Sequence, residues 1–584
     1  MAWWDRHLGV LDSEIDALEV AGLQPQMDSE LFATGKVTVK IRLMVLGEER
    51  DASVSYPDFY PYFRPILRIP GLGADLRHYD PYSGEICLLK KGTQHWMPSR
   101  TAADHINEML PHWEKVAGRQ YSEPRLEIED RQAEPASVYY PSVKNQQLLL
   151  DSHWRLPQDL RTGYFKIALP DGYRSITPTG SHASWVTEIL DDRKKTIEGI
   201  ILPEPLRKWI KGRKYSECTY PWIRLDAPPF DQNLVQMLIS SDPKVEQHVN
   251  HQISVNRSGL FGFCFPEESP TGGYRDGWLF LAYHCERKGK KTTPWLIAPD
   301  YVGEKDLFER VTELHPLRDK IVAVVGLGCV GAPSALAFAR AGVGELRLLD
   351  GDVISVGTLC RWPLGLPAIG MEKVIKLTQH ISENYPFTQI GISHYPYGNK
   401  EHCMLPIGEL SDGYDQFECL EKMLEGADII YDATAELGIN LLLNDLAITR
   451  NIPYISVSSR TGGWGGSVVR VSGGSRAGCL RCYLYALHED GTIPQPPYDP
   501  NGDGLQPVGC GSVTFKAAGF DVEEIALAGV RMAVSTLSEG HVGAYPTVEH
   551  DIGILSLRKD GKAIFPEWWS SQLQKHPKCE VCNR

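Results

Sequence analysis

KIVAVVGLGCVGAPSALAFARAGVGELRLLDGD, residues 320–352, decides the fold class of the C-terminal half. The apolar run Ile321–Val325 has the length and content of a buried strand. Gly326, Gly328 and Gly331 follow as G-x-G-x-x-G, then comes helix-forming composition over 332–341, and Glu345–Leu349 predicts a second strand. Glycines at that spacing permit a tight turn and let backbone N–H groups close on phosphate at a helix N-terminus. Asp350 ends the second strand, where a ribose-binding acid belongs. Strand, glycines, helix, strand and acid in this order predict a nucleotide-binding βαβ unit. The bland alternative is a tight βα turn without ligand.

Working outward, the residues after Asp350 narrow the choice of nucleotide. A dinucleotide asks for no cation next, because it carries only two phosphates. Here Asp350-Gly-Asp352 leads to Thr358-Leu-Cys-Arg361 and then to Gly370-Met-Glu-Lys373. Two cations soon after the ribose acid suit a triphosphate, where charge develops during attack at phosphorus. ADIIYDATAE (427–436) places Asp432 at another strand end, as a candidate magnesium ligand. That order resembles the ThiF/MoeB-type adenylation domain shared with ubiquitin-activating enzymes, over roughly 310–584. The resemblance implies that Asp350 holds ribose, that Arg361 and Lys373 contact phosphate, and that Asp432, or else Glu436, holds the metal. Thr358 stands where that family has Asn, Trp362 where it has Gln, and Ala435 where it has the second acid of D-x-T-D. Arg310 is read as the family's upstream arginine, which reaches a partner subunit.

The chain has 13 cysteines, an odd number without a secretory context, so thiol chemistry and metal ligation are expected over disulfides. Cys479-Leu-Arg-Cys482 and Cys579-Glu-Val-Cys582 are two C-x-x-C pairs, which suit a closed tetrahedral zinc site. Zinc at this place also matches the resembled family, where it is structural. Between the pairs, a Pro/Gly-rich loop carries Cys510. A thiol there could attack an acyl-adenylate and hold a thioester, and activating enzymes carry their catalytic cysteine on a crossover loop in this region. Cys87 is the second thiol of interest. Tyr56-Pro-Asp-Phe-Tyr-Pro61-Tyr-Phe-Arg-Pro65, His78-Tyr-Asp80, Gly84-Glu-Ile-Cys87-Leu and Trp96-Met-Pro98 resemble a ubiquitin-conjugating enzyme over about residues 1–118. In that family an Asn of H-P-N supports the oxyanion. Here Asp80 stands instead, and is read as an aid to the attacking amine. Cys218, Cys264, Cys329 and Cys403 lack ligand spacing and are read as packing residues.

Length and composition bound the rest. For 584 residues about three or four domains are expected, and boundaries are placed at 1–122, 123–315 and 316–584. The fold class is α/β: a ubiquitin-conjugating-like α+β domain, a mixed α+β middle domain and a Rossmann-like adenylation domain with a parallel sheet. Helices are predicted over 3–21 and 101–118, a strand over 36–46, and a linker over 123–137. The middle block offers strand-like GYFKIALP and GWLFLAYHC and a basic run, RKGKK (287–291), read as a solvated loop. Net charge is −14, which argues against phosphate-backbone binding, so no nucleic acid is expected. No apolar run of about 18 residues and no signal-peptide layout are evident, which predicts a cytoplasmic protein without a membrane partner.

A conjugating-like domain joined to an adenylation domain resembles the bacterial CD-NTase-associated conjugating–activating fusions of CBASS antiphage operons. The resemblance implies ATP, Mg2+ and Zn2+ as cofactors. It implies activation of the C-terminus of a cGAS/DncV-like nucleotidyltransferase (CD-NTase), thioesters on Cys510 and then Cys87, and ligation to a lysine of cellular target proteins, which raises second-messenger synthesis. A homodimer is also implied. Two rivals stand beside this reading: conjugation of a separate ubiquitin-like protein, and a sulfur-carrier adenylyltransferase that has no need of Cys87. A NAD-dependent oxidoreductase is disfavoured by Arg361, Lys373 and the cysteine quartet.

Overall fold

The computed structural model describes residues 2–73, 76–88, 96–117, 133–170, 182–213, 215–231, 233–254, 258–269, 273–284, 294–302, 308–391, 416–473, 477–501 and 516–583. They fall into two compact units: residues 1–203 with 210–303, and 204–209 with 304–584.

The first unit opens on helical chain that breaks at Gly9, whose φ of 77° ends the predicted 3–21 helix early and leaves Trp3–Arg6 and helix α1 (Val10–Val20). Four strands follow in one antiparallel sheet: β1 (Gln26–Met27), β2 (Val37–Val45), β3 (Glu48–Tyr56) and β4 (Ile66–Arg68). Along most of β2 buried and exposed residues alternate, as expected for a sheet with one face on the core. Helix α2 (Ala102–Ala117) covers it, burying Ile106, Leu110, Trp113 and Ala117 at helical spacing. A buried acid joins these parts. Glu14 on α1 accepts from Tyr56 OH at 3.0 Å, Tyr60 OH at 2.5 Å and Ala102 N, at the start of α2, at 2.9 Å. Burial raises its pKa, while the three donors and the positive end of α2 compensate the buried carboxylate.

The same unit holds a second sheet, built from β5 (Gln146–Leu150), β6 (Thr162–Leu169), β7 (His182–Leu190), β8 (Thr196–Ile201), β9 (Ser216–Arg224), β10 (Gly259–Glu268), β11 (Tyr274–Tyr283), β12 (Trp295–Ile297) and β13 (Pro299–Tyr301). Its order is β12-β11-β10-β9-β6-β7-β5-β13, with β8 on β7. Only Ala298 separates β12 from β13, yet they lie at opposite ends of that order, so the sheet curls until its ends meet. The chain leading in is not a loose linker throughout: Ala136, Ser137 and Tyr140 are buried.

In the second unit one sheet carries β14 (Ile321–Val325), β15 (Glu345–Leu349), β16 (Gln389–Ile390), β17 (Ile429–Asp432), β18 (Tyr454–Ser459), β19 (Gly465–Val471), β20 (Ile552–Lys559) and β21 (Lys562–Ser571). The order is β16-β15-β14-β17-β18-β19-β20-β21, parallel from β16 to β18 and antiparallel after it. Val322, Ala323, Val324 and Val325 are buried on both faces, the signature of a parallel sheet covered by helices. The chain leaves β14 toward β15 on one side and returns as β17 on the other. That reversal opens a crevice at the strands' C-terminal ends, where doubly wound sheets hold their ligands. No helix among the described residues is long and apolar enough to cross a membrane.

Candidate functional site: a glycine loop, a cysteine quartet and an exposed thiol

The glycine loop lies at that crevice. Gly326 has φ of 83°, and a Cβ there would meet the Ala433 carbonyl carbon at 2.8 Å, so both the turn and the approach of β17 require glycine. A Cβ on Gly331 would fall 1.8 Å from the Gly326 carbonyl oxygen. Gly328 has open space around it. Helix α3 (Gly331–Arg340) starts at the third glycine, with Ala332 N on the Gly328 carbonyl at 3.0 Å and Pro333 carrying no N–H, so it is the positive end of its dipole that faces the loop.

Asp350 closes on the same loop: Oδ2 accepts from Leu327 N at 2.6 Å and Oδ1 from Asp352 N at 2.7 Å. Burial raises its pKa, and Lys373 opposes that rise. Lys373 is the first residue of helix α4 (Lys373–Asn384); its Nζ lies 2.6 Å from Asp352 Oδ2 and 3.4 Å from Asp350 Oδ1, a pairing for which a phosphate would compete. Burial raises the pKa of the Cys329 thiol inside the loop, and the charges of Arg361 and Lys373 oppose that rise. The departure from the family pattern beside Arg361 has a structural counterpart. Trp362 is buried, and its Nε1 donates to the Leu327 carbonyl at 2.9 Å, so it supplies a side-chain N–H at the position where the resembled family has Gln. Thr358, in place of Asn, caps the preceding turn, with its carbonyl accepting from Arg361 N and Trp362 N.

Asp432, expected as the magnesium ligand, is enclosed by hydrogen-bond donors. Asp432 is fully buried: Oδ1 accepts from Thr434 N at 3.0 Å and Thr434 Oγ1 at 2.7 Å, and Oδ2 from Asn440 Nδ2 and Tyr454 OH, both at 2.7 Å. A carboxylate with four donors has no lone pair left for a cation. Glu436, just before helix α5 (Leu437–Arg450), is exposed. The Arg310 side chain lies outside the described residues.

Cys479, Cys482, Cys579 and Cys582 are buried together with all four sulfurs within 4.8 Å. Helix α6 (Leu480–His488) presents Cys482, with Cys479 as its N-cap. The sulfur separations of 3.5, 3.6 and 3.8 Å match the spacing of about 3.8 Å that four Zn–S bonds of about 2.3 Å impose on a tetrahedron. The quartet therefore fits zinc, which would pin 579–582 to α6. Cys510 lies outside the described residues. Among the described residues, a Cβ on Gly462 would meet Asp499 Cβ, and one on Gly463 would meet Ala517 Cβ. Helix α7 (Gly519–Leu537) then begins against the backbone of 360–361.

In the first unit Cys87 is exposed, after a turn whose geometry is set by neighbours. Its N–H donates to the His78 carbonyl at 2.9 Å, which also accepts from Trp113 Nε1 at 3.2 Å. His78 has φ of 56°, and its own N–H is held by the Glu134 carboxylate at 2.8 and 3.0 Å. Asp80, expected to aid the attacking amine, is hydrogen-bonded within its own turn. Oδ1 accepts from Tyr82 N at 2.9 Å and Ser83 N at 3.3 Å, and Oδ2 from Ser83 Oγ at 2.5 Å, so it closes its own turn.

Crevice, glycine loop, acid and the Lys373 cation beside it define a Rossmann-like nucleotide site. Residues 305–505 match the family model described as the ThiF family, and a ThiF/MoeB-type adenylation domain is thus part of this chain. The chain is similar along nearly its whole length to the uncharacterized protein y4oA of Sinorhizobium fredii, 25% identical over 99% of this chain and 97% of that one. The sulfur carrier protein ThiS adenylyltransferase of Escherichia coli is 27% identical over 28% of this chain and 59% of its own length. Among solved structures, E. coli MccB aligns with a TM-score of 0.35 and 16% identity, covering 48% of this chain and 72% of that one.

Proposed function

We propose that the chain is an ATP-dependent conjugating enzyme. The ThiF-type domain binds ATP at Gly326, Gly328, Gly331 and Asp350, with Arg361 and Lys373 on the phosphates and magnesium on Glu436, and adenylates a protein C-terminus. Cys510 takes the acyl group as a thioester, Cys87 receives it, and a lysine amine of a target protein attacks. Two thioesters in series are nearly isoenergetic, so adenylation drives the sequence and the later steps need only proximity. The activated protein is a CD-NTase encoded beside this chain, in an antiphage operon, and the chain works as a homodimer in the cytoplasm. The observation that carries the reading is the exposed Cys87 thiol on a turn held by its neighbours, in a chain that also contains a ThiF-type domain.

Incubation with ATP, Mg2+ and the neighbouring nucleotidyltransferase, followed by non-reducing gels, is the test. The reading expects a thiol-labile adduct that disappears in the Cys87→Ala, Cys510→Ala double variant, and an adduct that persists there would refute it. The similarity of the adenylation domain to a ThiS adenylyltransferase supports one rival, transfer of sulfur to a carrier protein. That rival expects adenylate formation without any adduct on Cys87.

A further inference from the structure

A lysine at the first position of a helix stands at the positive end of the helix dipole. Lys373 opens α4 there, and its N-cap, Glu372, makes no side-chain cap. The Lys373 side chain is only 10% exposed, so its ammonium needs counter-charge close by. Two acids supply it unequally. Asp350 stands off at 3.4 and 3.5 Å, with its oxygens already accepting from Leu327 N and Asp352 N. Asp352 Oδ2, at 2.6 Å, is the near partner.

Main-chain bonds set that pair opposite each other. Ile354 N donates to the Met371 carbonyl and Gly370 N to the Ile354 carbonyl, both at 2.9 Å. Val353 and Glu372 form an antiparallel bridge, and Lys373 N donates to the Asp352 carbonyl at 3.0 Å. The ion pair thus closes a clasp that the backbone already holds. The two acids differ in their freedom to leave it. The Asp352 side chain is 72% exposed and can turn into solvent, whereas that of Asp350 is 9% exposed and cannot move without uncovering Leu327 N. A phosphate that reaches Lys373 has to displace a carboxylate, and Asp352 is the one able to go.

We propose that Asp352 is the positioning residue for Lys373, a resident counter-ion that holds the ammonium at the crevice and is exchanged there for a nucleotide phosphate; this rests on the reading of the crevice as an ATP site with Lys373 on the phosphates. Because Lys373 has to be released from Asp352 before it can serve a phosphate, the acid weakens the binding of ATP. It has no part in the contact proposed between Asp350 and the ribose. Removal of its charge therefore acts on a nucleotide that carries phosphate and leaves a bare nucleoside unaffected.

The test is calorimetric titration of the full-length chain with ATP and Mg2+, and separately with adenosine. An ion pair with one exposed partner is worth up to about fivefold in an equilibrium constant, so Asp352→Asn is expected to tighten ATP about two- to fivefold and to leave adenosine at its parental affinity. Asp352→Glu, which keeps the charge, is expected to lack the gain. In a Lys373→Met background the gain should shrink, because no ammonium is left to release. Weaker ATP binding in Asp352→Asn, as loss of a magnesium ligand would give, overturns the exchange, and so does an equal shift for adenosine. A gain of the same size without Lys373 makes Asp352 a repulsive charge alone and overturns it as well. A parent chain that binds no ATP overturns the ATP reading and this inference with it. A parent that binds ATP, with no gain in Asp352→Asn, overturns this inference alone.

Discussion

Replacing Trp362 by Phe asks whether the indole N–H, and not only its bulk, shapes the glycine loop. The ring is 4% exposed, and its Nε1 donates to the Leu327 carbonyl at 2.9 Å. Asp350 takes the N–H of the same residue at 2.6 Å, so Leu327 is clamped from both sides. Phenyl leaves that carbonyl without its donor beside a fully buried side chain, a loss of about 1–3 kcal/mol. The missing volume adds roughly 1 kcal/mol by the cavity relation. The Phe variant should therefore lose about 2–4 kcal/mol of stability in the second unit. If about 1.4 kcal/mol of that ordering is what ATP binding draws on, affinity falls about tenfold. Trp362→Gln separates the two contributions, because it restores an N–H donor without the ring. It should melt at least as low as the Phe variant yet bind ATP more tightly. Thermal unfolding and calorimetric titration of the full-length chain with ATP and Mg2+ read both quantities. ATP affinity equal to the parent in the Phe variant, or no recovery in the Gln variant, would refute the role given to the indole N–H.

The cysteine quartet predicts about one zinc per chain by elemental mass spectrometry, lost in Cys482→Ser and Cys579→Ser together with a lower melting temperature; a well-folded metal-free preparation would contradict it. At the crevice, Glu436→Gln should raise the Mg2+ needed for half-maximal ATP turnover without moving the melting temperature. Asp432→Asn should instead lower the melting temperature, since an amide cannot accept from all four donors that now surround the carboxylate; a magnesium titration and a melt of each variant decide this. His105 predicts acid sensitivity. It is 2% exposed, neither ring nitrogen has a hydrogen-bond partner among the described residues, and burial holds its pKa down to about 4. The unfolded chain takes up that proton near pH 6.5, so the stability is whole above 6.5 and falls as pH drops toward 4, by about 3 kcal/mol in all. Denaturant unfolding of a His105→Phe variant should show that dependence removed; an unchanged slope between pH 7 and 5 contradicts it.

The second unit was legible because its signals are local. An unbroken apolar strand, glycines at turn spacing and an acid at the next strand end lie within 33 residues of one another, and the structure assembles them as read. The two C-x-x-C pairs were equally plain, since four thiols at such spacing suit few arrangements besides one tetrahedron. What escaped was whatever depends on a distant partner. Trp362 looked like a departure from a motif until its N–H was seen on the Leu327 carbonyl. Asp432 looked like a ligand because its place in the chain says nothing of Asn440 and Tyr454 closing over it. Asp80 was read by position as an aid to the amine, and it is consumed by a turn that Ser83 and Tyr82 complete. Glu134 sat near the end of a charged, proline-rich stretch read as linker, and no sequence pattern links it to His78, 56 residues earlier.

The order in which the two thiols are loaded tests the account most directly. Rapid quenching in acid after mixing the chain with ATP, Mg2+ and the neighbouring nucleotidyltransferase, followed by peptide mapping, follows the acyl group from residue to residue. The account predicts an adduct on Cys510 first, then on Cys87 with matching decay, and accumulation on Cys510 in Cys87→Ala. An acyl group that never reaches Cys87 while ligated product still forms would contradict it.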